Sequence, residues 1–158
     1  MTWKNDQHGL LFKSSEIKLY RNGGHTWAMK LSQLPSQVGI VRIVTYSLPD
    51  LKYACEQIGR RPKDMYVICH KKFADLAAQI KERYPNVRIA VHDEVHSKIC
   101  LIAPKTLYVG SANFGVSGWH ETEVGIRSSE AHDWYVTNSF EPLWRECKEV
   151  QSESGVDA

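Results

Sequence analysis

Seven short runs rich in Val, Ile and Tyr recur along this chain, and helix-like stretches separate the early ones. The runs are Glu16–Tyr20, Gly39–Tyr46, Asp64–Cys69, Val87–Val91, His96–Ile102, Thr106–Ser111 and Thr122–Ser128. β-branched and aromatic residues suit a pleated, half-buried surface, so each run reads as a strand. Helices are predicted over Thr26–Leu34, Pro49–Ile58, Lys72–Tyr84 and Ala131–Val150. In the third, Phe73, Leu76, Ala77 and Ile80 recur at helical spacing, and Pro85-Asn86 ends it. Alternation that gives way to closely spaced strands predicts an α/β fold: a mixed sheet core with helices on both faces. Ile99–Ile102 is apolar throughout, as expected of a strand buried on both sides.

A chain of 158 residues can bury a genuine core, and residues 1–150 read as one domain with a polar tail at 151–158. No apolar run is long enough to span a bilayer, and no signal-like core follows Met1-Thr2-Trp3-Lys4. The expectation is a soluble, cytoplasmic protein with no membrane partner. Cys55, Cys69, Cys100 and Cys147 form no close pair, so they read as free thiols rather than a zinc or redox motif. Residues 1–95 carry 15 Lys and Arg against 9 Asp and Glu, whereas residues 96–158 carry 5 against 9. The basic half, with Arg60, Arg61, Lys63, Lys71, Lys72, Lys81, Arg83 and Arg88, suits a polyanion, although a solvated helix face would look the same.

The residues with chemistry are concentrated in one stretch: His96-Ser97-Lys98, Gly110-Ser111-Ala112-Asn113 and Glu123. Side chains two apart on a strand share a face, which pairs His96 with Lys98, Ser111 with Asn113, and Glu121 with Glu123. A neutral imidazole is a competent nucleophile toward phosphorus. Lys98 offers a point charge to non-bridging phosphate oxygens, Asn113 an amide donor and Ser111 a hydroxyl. Glu123 can hold the second imidazole nitrogen of His96. Gly110 lets the backbone approach a phosphate, and Gly115 and Gly118 loosen the loop that follows.

Eleven residues, 99 to 109, separate Lys98 from Gly110. The stretch resembles the phospholipase D superfamily signature H-x-K-x4-D-x6-G-S-x-N, which has the same spacing. Ala103 stands where that signature has Asp. The likeness is motif-specific over about Val95–Ile126, and Thr45-Tyr46-Ser47 after a buried strand also fits it. It implies a phospholipase D-like fold and phosphodiester chemistry through a covalent phosphohistidine, with no metal and no cofactor. Members with one motif typically form homodimers, so the resemblance implies that one His96 attacks and the partner's His96 acts as general acid.

Other residues carry weaker signals. Trp119 reads as a base-stacking platform or as a packing residue. Lys71 and Lys72, after His70, could meet phosphate at a helix start. His92-Asp93-Glu94 reads as a solvated loop or strand edge rather than metal ligands, and His25 after Asn22-Gly23-Gly24 as part of a turn. His120 reads as a surface residue near Glu121, and His8 and His132 carry no signal. Trp134, Phe140, Leu143, Trp144 and Cys147 form a stripe assigned to packing.

The resemblance, the small size and the basic first half together imply a small dimeric nuclease acting on DNA or RNA, with single strands favoured. A phospholipase or phosphatidyltransferase would use the same groups. Ala103 motivates a third reading, a catalytically impaired nucleic-acid-binding protein.

Overall fold

The computed structural model describes residues 10–13, 16–21, 26–32, 34, 39–117 and 119–152. His8, His25 with its Asn22-Gly23-Gly24 turn, Gly118 and tail residues 153–158 lie outside the described residues.

Nine strands form one sheet among the described residues. In chain order they are β1 Leu10–Lys13, β2 Ile17–Arg21, β3 Val41–Val44, β4 Met65–His70, β5 Arg88–His92, β6 Ile99–Ile102, β7 Thr106–Gly110, β8 Thr122–Arg127 and β9 Lys148–Glu149. Across the sheet the order is β1-β2-β8-β7-β6-β3-β4-β5-β9. β3, β4 and β5 run parallel, and every other pairing is antiparallel. The parallel strands are joined through helices α2 Leu51–Ile58 and α3 Ala74–Arg83, because a parallel neighbour needs a crossover.

The sheet is covered on both faces. One face carries α1 Thr26–Leu31, α2 and α3, with Trp27, Leu31, Ala54, Ile58, Ala77 and Ile80 packed on Ile43, Val67 and Ile89. The other carries α4 Ser129–Tyr135, a π-helical turn Val136–Phe140 and α5 Glu141–Glu146, packed through Val136 and Phe140 on Ile68 and Leu101. Alternate residues of β6 serve the two cores: Cys100 and Ile102 face one, Ile99 and Leu101 the other. All four are buried, as the unbroken apolar run predicts. α2 starts where the Asp50 carboxylate accepts from the Tyr53 N–H at 3.0 Å.

Three sequence expectations are corrected. The run His96–Ile102 is a strand only from Ile99, so His96, Ser97 and Lys98 form an extended lead-in. The last helix does not continue from Ala131 to Val150. It ends at Glu146, and Lys148–Glu149 adds to the β5 edge, where Glu149 pairs with Arg88. The packing stripe holds for Phe140, Leu143, Trp144 and Cys147, but Trp134 is 62% exposed. The wider π turn between them shifts the helical phase and carries Trp134 off the core side.

No helix among the described residues is long and apolar enough to cross a membrane. The basic residues of the first half do not form one free patch. Lys81 is buried and donates to the Val87 carbonyl at 2.7 Å, Arg61 pairs with Asp64, Lys71 with Asp93 and Arg88 with Glu149.

Candidate active site

β6 and β7 are neighbours, and the Gly110 N–H donates to the Lys98 carbonyl at 3.3 Å, just beyond the β6 ladder. This bond lays the lead-in beside the end of β7. Together they form an open cleft of about 440 Å³ lined by His96, Ser97, Lys98, Gly110 and Ser111, with Ile99 and Val109. Lys98 Nζ sits 3.0 Å from Nδ1 and 3.4 Å from Nε2 of His96, and donates to the His96 carbonyl at 2.6 Å. An ammonium only donates, so the ring nitrogen it meets presents a lone pair. Partial burial holds the Lys98 pKa below the usual lysine value, opposed by the nearby Glu121 carboxylate.

Tyr46 braces the nucleophile candidate. Its ring packs on His96 at 5.3 Å, on His70 at 4.9 Å and on Phe73 at 5.9 Å. His70 also closes the 3-10 turn Lys71–Phe73 by accepting from the Lys72 N–H at 3.1 Å. Lys71 and Lys72 are exposed on this turn, which borders the Tyr46 side and lines neither the cleft nor its neighbouring pocket. At the end of β5, His92 accepts from the Glu94 N–H and Asp93 pairs with Lys71.

The expectation that Ser111 and Asn113 share a strand face is corrected, because β7 ends at Gly110. Ala112 and Phe114 are buried instead and anchor the loop: the Trp27 indole donates to the Ala112 carbonyl at 3.0 Å, and the Phe114 N–H donates to Thr45 Oγ1 at 2.9 Å. Burying a Phe side chain stabilises by roughly 1.5–3 kcal/mol, which fixes the residue between the two anchors. Asn113 Oδ1 then accepts from the N–H groups of Tyr46 at 3.1 Å and Ser47 at 3.4 Å. A backbone N–H cannot accept, so the amide orientation is forced and Nδ2 is left to donate. Asn113 opens onto a second pocket of about 350 Å³, whose lining includes Pro49, Asp50, Ser117, Trp119 and Glu121. Trp119 is 78% exposed, so it does not pack into the core of its own chain.

Glu123 does not hold His96. Among the described residues its carboxylate pairs with Lys30, and both are buried. Glu123 lies opposite Gly110 across the β7–β8 ladder, and its side chain passes directly over that glycine. A Cβ on Gly110 would sit 2.6 Å from the Thr122 carbonyl oxygen and 2.9 Å from Glu123 Cδ. Burial raises the Glu123 pKa, with Lys30 opposing, and burial lowers that of Lys30, with Glu123 opposing. Glu121 and Glu123 also part ways. Glu121 accepts from the Ser111 hydroxyl and from Ser117 Oγ, the latter at 3.0 Å, and Ser117 Oγ accepts from the Trp119 N–H at 3.1 Å.

The pattern of the sequence misses Tyr46, Lys30, Glu121 and Ser117 as site residues. Two of them carried a signal: Tyr46 as part of Thr45-Tyr46-Ser47 after β3, and Glu121 through its spacing from Glu123. Ala103 lies just past the far end of β6, against Gly39. At ~3.3 Å per residue, five residues put it roughly 16 Å along the chain from Lys98, away from the reacting groups. Burial pushes the Cys69 and Cys100 thiols up to about 12, so neither offers a thiolate near neutrality.

No family model and no curated protein matches the chain. Solved structures do. The chain is similar to Nuc from Salmonella typhimurium, a phospholipase D family member, with TM-score 0.68 and 15% identity over 87% of this chain and 100% of that one. It is similar to NucT from Helicobacter pylori, with TM-score 0.66 and 16% identity over 84% and 98% of the two chains. A phosphatidylserine synthase from Haemophilus influenzae matches with TM-score 0.62 and 11% identity, over 90% of this chain and 42% of that one. The fold is phospholipase D-like, and the resemblance carried by the motif holds at the level of the fold.

Proposed function

We propose that this chain is a phosphodiesterase that cleaves nucleic acid without a metal, through a covalent phosphohistidine on His96, in a homodimer. The observation that carries this reading is the cleft in which the His96 imidazole and the Lys98 ammonium meet at 3.0 Å beside Gly110 and Ser111. A nucleophile, a cation and a hydroxyl converge where a phosphate has open access.

In the first step an imidazole nitrogen of His96 attacks phosphorus, and the bond to the leaving oxygen breaks. That oxygen takes a proton from the partner's His96, brought close by an isologous twofold interface. Water then attacks the phosphohistidine, gives its proton back to the partner's His96 and releases His96 as free imidazole. Lys98 and the Asn113 amide stabilise the charge that grows on the non-bridging oxygens. Gly110 makes room for the Glu123 side chain behind it, and its N–H ties the end of β7 to the Lys98 carbonyl. Single-stranded DNA or RNA suits the exposed Trp119 ring, which any base can stack on.

The test is cleavage of labelled single- and double-stranded DNA and RNA in excess EDTA, with wild type beside His96→Ala. Cutting by wild type alone supports the reading, and a strictly monomeric active protein contradicts its dimeric part. The likeness to the phosphatidylserine synthase favours phosphatidyl transfer as a second reading. Hydrolysis of phospholipid vesicles, with no cutting of nucleic acid, would select it.

A further inference from the structure

We infer that the pocket next to the catalytic cleft selects a guanine base on the nucleotide flanking the scissile phosphate. The inference rests on the phosphodiesterase reading and deepens it.

The two cavities share a wall. Ser111 lines the cleft with His96 and Lys98, while Glu121 lines the neighbouring pocket, and the Ser111 hydroxyl donates to the Glu121 carboxylate between them. A nucleotide whose phosphate occupies the cleft therefore has its base within reach of Glu121. The pocket, at about 350 Å³, is in the range of small-ligand sites. Its opposite sides differ in chemistry. Pro49 lies under Gly115, which has φ +138° and would place a Cβ 2.9 Å from Pro49 Cβ, so only glycine lets the loop close down there. Trp119 presents a ring with 78% of its surface free, and Val116 beside it is 67% exposed. An exposed indole at the mouth of a polar pocket, with no aromatic partner among the described residues, is a stacking face for a base.

The polar groups decide which base fits. Glu121 offers two carboxylate oxygens, and Asp50 adds a carboxylate that accepts through Oδ1 from the Tyr53 N–H. The serines already hold Glu121 in place: Ser111 meets Oε2 and Ser117 meets Oε1. Each carboxylate oxygen keeps a second lone pair, so the group can accept from a base while the serines orient it. Two side-by-side acceptors match two side-by-side donors. Guanine has that pair in N1–H and the exocyclic amino group. Adenine and cytosine place a ring acceptor next to their amino group. Uracil and thymine flank their single N–H with two carbonyls. A carboxylate held by two serines rejects those edges, because an acceptor facing an acceptor stays unpaired.

The test is calorimetric titration of the wild-type protein with GMP, dGMP, AMP, CMP and UMP, repeated with Glu121→Gln and Trp119→Ala. The expected result is GMP binding about tenfold or more tighter than UMP, in line with discrimination by a bidentate pair. Glu121→Gln, which keeps the shape and turns one acceptor into a donor, should erase the preference. Trp119→Ala should weaken all nucleotides alike. GMP against dGMP separates an RNA strand from a DNA strand as the source of the base. Equal binding of all bases by wild type, or a preference that survives Glu121→Gln, overturns the inference. Cleavage in EDTA that continues with no base preference sinks this subsite alone. A GMP preference in a protein that cuts nothing supports the subsite and sinks the catalytic reading.

Discussion

Asn113 Oδ1 accepts the Tyr46 N–H at 3.1 Å, and the ring of the same tyrosine packs on His96 at 5.3 Å. One amide thus ties the G-S-x-N loop to the residue that braces the nucleophile candidate. Its oxygen does structural work, and its nitrogen is left for a substrate. The two roles separate by substitution. Asn113→Asp keeps an oxygen for the Tyr46 and Ser47 N–H groups but removes the donor and adds negative charge. Its cleavage rate should fall by about 10²–10³ with little change in Tm. Asn113→Ala also leaves the Tyr46 N–H without its acceptor, which costs about 1–3 kcal/mol of stability. Thermal melts beside initial rates distinguish the two.

Tyr46 should act through its ring rather than its hydroxyl, since the ring makes the contacts with His70, Phe73 and His96. Tyr46→Phe should retain activity. Tyr46→Leu removes aromatic contacts worth about 0.5–1.5 kcal/mol each and should slow cleavage about tenfold. Equal loss in both variants would mean that the hydroxyl matters instead.

Gly110→Ala places a methyl group against the Thr122 carbonyl and Glu123. Backbone is the closest neighbour, so relief by a rotamer change is not available. Destabilisation of roughly 1–3 kcal/mol is expected. In a domain of this size each kcal/mol lowers Tm by about 2–4 °C. A melt of the variant unchanged from wild type would contradict the close approach.

The Lys30–Glu123 pair should show itself through pH. Lys30→Met leaves a buried carboxylate without its cation, a loss of about 3–5 kcal/mol for such pairs near neutrality. A carboxyl whose pKa is higher folded than unfolded binds protons more tightly in the folded state. Its favourable contribution is present at low pH and lost as pH rises through the folded value. Burial already raises Glu123, and Lys30 is the opposing influence, so its removal raises the carboxyl further. The stability deficit of Lys30→Met should therefore shrink as the pH is lowered from neutral to acid. Denaturant melts at both ends check this, and a deficit independent of pH would contradict it.

Ala103→Asp restores the missing motif letter roughly 16 Å along the chain from Lys98. Cleavage by this variant should stay within about twofold of wild type, given that distance. A large gain would show that the far end of β6 governs the site.

Much of the fold was legible because its strands are locally consistent. β2 through β8 fall within runs rich in β-branched and aromatic residues, and β6 departs most at its start, three residues after its run begins. β9 was not legible: Lys148 and Glu149 carry no strand signal, and they pair because Arg88 and the open β5 edge receive them. β1 lay in a segment with no readable alternation. His96, Lys98, Gly110 and Ser111 meet in one cleft, as their spacing implied. The partner of Glu123 was hidden, because a lysine on a short helix is ordinarily solvated and nothing local marks Lys30 as buried. The divergence of Ser111 from Asn113 was hidden too, since it depends on Ala112 and Phe114 entering the core.

The central claim is a double displacement through His96, and stereochemistry at phosphorus tests it most directly. A nucleic-acid substrate with one chiral phosphorothioate would be cleaved in ¹⁸O-labelled water and the configuration of the product assigned. Two in-line displacements, first by His96 and then by water, predict retention. Inversion would mean a single direct attack by water and would contradict the account.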